Sequence, residues 1–299
     1  MARNLQAALP PTDTLLIHDL DVEAGQRFVV EATAGQAAVV NMEPTAAAAR
    51  VIAEKSDTII TVLPAPAHVK NLFHTMINSG LPKSTGSQER LFVDCSTIDP
   101  ASSREVANAV HCTHAGRFVD APMSGGVVGA EAASLTFMLG AAPDLLERAR
   151  SVLMMMGRSV HHCGEQGTGL SAKLANNYLL ALSNIATAEA MNMGIRSGLD
   201  AKKLAALINA STGRSWCSEV NNPVPGVVDA SPASRDYTGG FGIGLMRKDL
   251  NLALQAAGEA GATVALGDAA RQIYEATAGD VTCQGRDFSV VYRHLGGIE

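Results

Sequence analysis

Three stretches of this 299-residue chain combine polar side chains with glycine in a way that could do chemistry. The first is Asp120-Ala-Pro-Met-Ser124-Gly125-Gly126, with Gly129-Ala130 just beyond. Glycine lets the backbone come close to a ligand, and successive free N–H groups in such a turn make a concavity that suits an anion such as a carboxylate. The Ser124 hydroxyl would add one more donor. Read alone, the stretch is equally an ordinary turn between a strand and a loop. The second is Gly164-Glu-Gln-Gly167-Thr-Gly169-Leu-Ser-Ala-Lys173-Leu-Ala-Asn176-Asn177. Lys173 and Asn177 are four apart and share one face of a helix. Partial desolvation would bring a lysine amine toward the range useful for proton transfer at neutral pH, and Asn177 could hold the lysine or a substrate. Most lone helical lysines instead lay their stem on the surface and keep the ammonium in water. The third, Gly239-Gly240-Phe241-Gly-Ile-Gly-Leu-Met-Arg247-Lys248-Asp249-Leu250, leads into a helix with Lys248 and Asp249 near its start. Asp249 there would suit the helix dipole, while the plainer reading is a solvated pair of neighbouring charges.

These clusters need elements to hold them. Up to about residue 163 short β-like runs alternate with helical ones, the pattern of a parallel sheet covered by helices. Strands are predicted at 14–18, 37–40, 58–63, 91–94, 117–120, 135–139 and 160–163, and helices at 44–55, 67–77, 101–110 and 143–155. Asp99-Pro100 and Ala142-Pro143-Asp144 carry helix-start signals, and 82–88 reads as a surface loop. From Leu170 to about Ser197 runs a stretch rich in Ala, Leu, Met and Asn without Pro, long enough for seven or more helical turns. Further helices are predicted at 204–209, 245–260 and 265–277, with a Pro- and Gly-rich connection at 222–244. The reading is therefore α/β, a parallel sheet covered by helices over residues 1–163, followed by an all-helical part over 164–299.

Composition narrows the function. With 47% hydrophobic and 17% charged residues the chain can build sizeable cores, and a net charge of −6 without a basic stripe gives nucleic acid or anionic membrane little purchase. A small-molecule partner is expected. Five cysteines without short paired spacing fit free thiols in a reducing compartment. No apolar run approaches the roughly 20 residues of a membrane helix. His111-Cys112-Thr-His114 and His161-His162-Cys163 are crowded, but neither has a second pair at zinc spacing, so no metal is expected.

Taken in order along nearly the whole chain, the three clusters resemble the signatures of the β-hydroxyacid dehydrogenases, and of the 3-hydroxyisobutyrate dehydrogenase family in particular. Ser96-Thr97-Ile98-Asp99-Pro100, Thr187-Ala-Glu-Ala-Met-Asn-Met-Gly-Ile, Ser211-Thr-Gly-Arg-Ser-Trp216 and Asn222-Pro-Val-Pro-Gly-Val add to the likeness. The resemblance implies hydride transfer from the CH₂OH group of (S)-3-hydroxyisobutyrate to NAD, giving methylmalonate semialdehyde in valine breakdown. It makes Lys173 the catalytic lysine, has Asn177 position the reacting oxygen, and gives the substrate carboxylate to Ser124, Gly125 and Gly126. It places Asp19, Leu63, Pro64, Thr97, Phe241, Lys248 and Asp249 against the cofactor. Asp19, ending the first predicted strand, matches the acid that binds a ribose 2′-hydroxyl and repels a 2′-phosphate, which favours NAD over NADP. His68 stands where the family often has Asn, and Ser134 where Gly is common. The resemblance further implies that residues 1–163 form a Rossmann-like, doubly wound NAD-binding domain and 164–299 an all-helical substrate and dimerisation domain. It implies the mitochondrial matrix if the chain is eukaryotic and the cytoplasm otherwise. The long apolar helix and the helical half call for a partner surface, so a homo-oligomer, dimer or tetramer, is expected. A reductase of tartronate semialdehyde is the neighbouring reading within the class, and a non-catalytic binding or scaffold protein the reading outside it.

The family opens with a strand, a Gly-x-Gly-x-x-Gly turn, and a helix reading like Met1-Ala2-Arg3-Asn4-Leu5. This sequence starts at that helix. The expectation is a chain without the central strand of its sheet and without the cradle for the pyrophosphate, through a late start or through loss of catalysis in a paralogue. The former is favoured because every downstream motif is kept.

Overall fold

The computed structural model describes residues 1–32, 36–43, 45–78, 80–82 and 89–299. Residues 83–88 of the expected surface loop, and Pro44 at the expected start of a helix, lie outside them. The chain forms two compact units, Met1–Lys173 and Leu174–Glu299.

The first unit contains α1 (Ala2–Ala8), β1 (Thr14–Ile17), α2 (Val22–Glu31), β2 (Ala38–Asn41), α3 (Ala46–Lys55), β3 (Thr58–Thr61) and α4 (Pro66–Ile77). There follow β4 (Leu91–Asp94), α5 (Pro100–Cys112), β5 (Arg117–Asp120), β6 (Met123–Ser124), α6 (Gly126–Glu131), β7 (Leu135–Gly140), α7 (Leu146–Met154) and β8 (Gly157–Gly164). The main sheet has the order β3-β4-β5-β7-β6, with β8 beside β7. Strands β3, β4 and β5 are parallel, in a register that sets Asp94 opposite Asp120. Only the short α6 separates β6 from β7, so β7 returns antiparallel instead of through a long crossover, and the sheet is mixed at this side.

Side chains alternate across this sheet, so each strand feeds two cores. Ile59, Phe92 and Phe118 face Val69, Phe73 and Val106 of α4 and α5, and the Phe73 ring lies 5.5 Å from Phe92 and 5.4 Å from Phe118. Leu91, Val93, Val119 and Phe137 face Ala149 and Leu153 of α7, with Met1 and Leu5 of α1 packed against them. Helix starts follow the chemistry of their first residues. Asp99 accepts the Ser102 N–H at 2.7 Å ahead of Pro100, Thr45 accepts from Ala48, and Asp21 accepts from Ala24.

β1 and β2 pair in parallel as a separate two-stranded sheet. Among the described residues no strand joins β1 to β3, and the gap falls where the centre of the sheet was expected to be unfilled. Helix α2 was not expected from the sequence. Its Gly25 explains how it fits, because a Cβ there would come within 2.7 Å of the Asn41 side chain on β2.

α8 (Thr168–Arg196) runs from the first unit into the second. The second unit continues with α9 (Ala201–Asn209), α10 (Trp216–Glu219), α11 (Ile243–Glu259), α12 (Gly267–Gly279) and α13 (Val291–His294). Its core gathers Ala181 and Ile185 of α8, Met246 and Leu250 of α11, and Tyr274 of α12 around Phe288. Asn184 is buried among them because its amide donates to the Tyr274 hydroxyl and the Phe288 carbonyl, at 3.0 and 3.1 Å. None of its helices, nor any other described one, is long and apolar enough to cross a membrane.

Candidate active site

Within the first unit the candidate residues collect where β3, β4 and β5 end. The Ser96 hydroxyl donates to Asp94 Oδ1 at 2.6 Å and accepts the Leu63 N–H at 2.8 Å. This ties the segment after β3 to the segment after β4. Leu63 and Thr97 are half-buried there, and Pro64 is exposed. Asp94 is fully buried and also accepts from the Thr61 hydroxyl at 2.8 Å. Burial pushes its carboxyl up, against the pull of the Ser96 and Thr61 hydrogen bonds. The Ala121 N–H donates to the Asp94 carbonyl at 2.8 Å, so β5 ends in step with β4.

From β5 the chain passes through Pro122 into Ser124, which pairs with Thr136 across β6 and β7. Gly125 and Gly126 then adopt φ of 131° and 61°, which side-chain-bearing residues rarely take, and α6 begins. The turn expected from Ser124-Gly125-Gly126 is therefore present, with both glycines exposed.

Lys173 lies on α8, little more than one turn past its start, and only 7% of it is exposed. The start of α8 is held by a group the sequence reading did not single out. The Asp120 carboxylate accepts the N–H groups of both Gly167 and Leu170, the latter at 2.9 Å. Asp120 is fully buried, and its carboxyl is pushed up to about 6 by that burial, with the neighbouring Asp94 adding to the shift and the backbone hydrogen bonds opposing it.

Asp19 stands elsewhere, on the two-stranded sheet just past β1. It is exposed, and its Oδ1 accepts the Asp21 N–H at 2.9 Å in the turn into α2. Among the described residues that bond belongs to the local turn and not to the β3–β4 edge. His68 lies exposed on α4, and Ser134 is followed at once by β7.

In the second unit Asn177 and Asp249 are both buried and meet directly: Asn177 Nδ2 donates to Asp249 Oδ2 at 2.7 Å. Asn177 Oδ1 accepts from Asn176 at 3.1 Å, which fixes the orientation of the amide. Lys248 Nζ lies 3.0 Å from Asp249 Oδ1. Asp249 thus faces Asn177 and Lys248 rather than solvent. The Phe241 N–H donates to Asp287 Oδ2 at 2.7 Å, so the buried Asp287 anchors the loop that enters α11. No sequence pattern flagged Asp287, whose partner lies 46 residues away. Among the described residues no group of His, Cys, Asp and Glu is placed to hold a metal ion. His162 Nε2 instead meets the Ala141 carbonyl at 3.0 Å.

Two family models match the chain. Residues 1–164 match the NAD-binding domain of 6-phosphogluconate dehydrogenase, and residues 167–295 match the family described as NAD-binding of NADP-dependent 3-hydroxyisobutyrate dehydrogenase. A probable mitochondrial 3-hydroxyisobutyrate dehydrogenase of Dictyostelium discoideum is 47% identical over 82% of this chain and 74% of its own length. The mitochondrial 3-hydroxyisobutyrate dehydrogenase of Bos taurus is 41% identical over 99% of this chain and 82% of its own. Among solved structures, the 3-hydroxyisobutyrate dehydrogenase of Mycobacterium tuberculosis with L-serine is 35% identical, superposes with a TM-score of 0.80, and is covered to 99% by 95% of this chain. The chain therefore carries NAD(P)-binding dehydrogenase domains, and it belongs to the 3-hydroxyisobutyrate dehydrogenase family.

Proposed function

We propose that this protein oxidises (S)-3-hydroxyisobutyrate to methylmalonate semialdehyde with NAD, as a step of valine breakdown. The observation that carries the reading is Lys173, a buried lysine near the start of α8 in a chain whose Ser124-Gly125-Gly126 turn has two exposed glycines at positive φ. Ser124 and the two glycines take the substrate carboxylate. Lys173 Nζ accepts the hydroxyl proton as the alcohol carbon gives up its hydride, and the fixed Asn177 amide holds the reacting oxygen. L-serine, present in the mycobacterial structure, supports this substrate class. It carries a hydroxymethyl group and a carboxylate on one carbon, as 3-hydroxyisobutyrate does.

A bound nicotinamide ring supplies the hydride acceptor. Leu63, Pro64 and Thr97, at the carboxyl edge of β3 and β4, fit the wall of a dinucleotide site, and Phe241, Lys248 and Asp249 are the further residues we assign to cofactor binding. The exposed Asp19 carboxylate fits a ribose 2′-hydroxyl and disfavours a 2′-phosphate, hence NAD over NADP. The diphosphate fits less well. The 299 residues contain no Gly-x-Gly-x-x-Gly turn, and α1 begins without a side-chain cap. In this reading residues 1–163 hold the dinucleotide, and 164–299 complete substrate binding and form a dimer or tetramer through exposed apolar side chains such as Leu179 and Met193. The mitochondrial names of the relatives support the matrix as the compartment of a eukaryotic protein.

Formation of NADH or NADPH with (S)-3-hydroxyisobutyrate, glycerate and L-serine, each with NAD and with NADP, tests the assignment. The highest kcat/KM is expected for 3-hydroxyisobutyrate with NAD. Preference for glycerate would move the protein to the tartronate semialdehyde reductases, and no reduction with any of the three acids would refute the reading.

A further inference from the structure

Asp120 is a fully buried carboxylate of the first unit that reaches from the sheet to the start of the helix carrying Lys173. It ends β5, and its two oxygens divide between the N–H groups of Gly167 and Leu170, 47 and 50 residues further along. These are among the orphan donors that every helix start leaves, and a carboxylate there also meets the positive end of the helix dipole. The fit around it leaves no slack. A Cβ on Gly140 would stand 2.3 Å from Asp120 Oδ1, and one on Gly169 would stand 2.2 Å from the Met138 carbonyl. Two glycines thus let α8 sit directly on the end of β7 with the carboxylate between them. Lys173 follows Leu170 by three residues, about 4.5 Å along the axis and on the same side of the helix. The segment leading to Ser124 starts from Asp120 itself.

We propose that Asp120 is a positioning residue for the reaction. Its carboxylate clamps the first turn of α8 to the end of β5 and so sets where Lys173 stands relative to the Ser124 turn. The inference rests on the role given to Lys173 under the proposed function. An ionised carboxylate accepts from both N–H groups. A protonated one, or an asparagine, offers one oxygen and a donor that opposes the second N–H. The clamp therefore holds in full only while Asp120 is charged. Among the described residues, the titratable and charged groups around it are Asp94 on β4, Cys163 on β8 and Arg104 of α5 beside Gly167, with Lys173 three residues beyond Leu170 along α8. Asp94 opposes its ionisation.

The test combines turnover with a direct view of the lysine. Protein carrying ¹³C at lysine Cε is compared as wild type and Asp120→Asn, and kcat and KM are measured on both. The expected result is a displaced Lys173 resonance with those of Lys70 and Lys202 unmoved, and kcat down tenfold or more with KM for the hydroxy acid changed less than about threefold. The low-pH fall of kcat that tracks Asp120 in the wild type should vanish in the variant. An unmoved Lys173 resonance together with wild-type kcat and pH profile overturns the proposal. Should Asp120→Asn not fold, the wild type decides: between pH 5 and 8 the Gly167 and Leu170 amide resonances must shift with one midpoint near 6, with Lys173 following, and failure to do so also overturns it. A wild type without turnover in which these resonances still move refutes the dehydrogenase reading and leaves the clamp standing.

Discussion

The two sheets of the first unit end in different ways. The β3–β4–β5 edge is buried and interlocked: Asp94, Ser96 and Leu63 form one chain of hydrogen bonds, and Asp120, opposite Asp94 in the register, separately holds the start of α8. At the end of β1, by contrast, Asp19 is exposed and holds only a local turn, while Leu15, Leu16 and Ile17 are no better than half-buried. The groups assigned to proton transfer and substrate thus rest on a scaffold of fixed parts, whereas the group assigned to the cofactor ribose rests on a pair of strands with little core beneath it. A two-stranded sheet is marginal by itself and gains stability from what it packs on. The proposed function therefore assigns chemistry and cofactor choice to regions of unequal support.

The sharpest way to break this comparison is by core truncation. Phe73→Ala removes a ring packed on Phe92 and Phe118 and is expected to cost about 3–5 kcal/mol by denaturant unfolding. Leu16→Ala on β1 should cost roughly 1–2 kcal/mol, because its side chain is only partly buried. Equal costs would show that β1 is as well supported as β4.

The next effect follows from charge. Burial raises the Asp120 carboxyl from 3.8 to about 6, so the folded state holds that proton more tightly than the unfolded chain. Its contribution to stability is whole below pH 4 and is lost as pH rises through 6. Relative to Asp120→Asn, the wild type should lose about 3 kcal/mol between pH 4 and 7. A difference that stays flat with pH would place the charge elsewhere.

A smaller effect belongs to the second unit. Asn177→Ala leaves Asp249 Oδ2 buried without its amide donor and should cost about 1–3 kcal/mol, measured by urea unfolding. A loss below about 0.5 kcal/mol would mean that water or another donor replaces the amide.

Much of this arrangement is legible in the sequence. Phe92-Val-Asp94 and Phe118-Val-Asp120 mark strand ends, Asp99-Pro100 marks a helix start, and the stretch after Gly169 reads as one long helix, which the structure extends from Thr168 to Arg196. α2 escapes because Gly25 and the β-branched pair Val29-Val30 lower its helical signal, and its glycine is needed only for the approach to Asn41. The Asp120 clamp and the Asn177–Asp249 contact escape for another reason. They join residues 47 to 72 apart, and no local spacing announces a partner at that distance. Asp120 lay within a motif noted for its serine and glycines, yet its own task is visible only once β5 and α8 are placed together.

The central claim is that Lys173 carries out proton transfer in a 3-hydroxyisobutyrate dehydrogenase, and the most direct measurement is NADH formation from (S)-3-hydroxyisobutyrate by the wild type and by Lys173→Ala at saturating NAD. Measurable turnover by the wild type is expected, with a loss of at least about a hundredfold in kcat for the variant and an unfolding midpoint little changed. Turnover by Lys173→Ala at the wild-type rate, or none by a folded wild type that binds NAD, would contradict that claim.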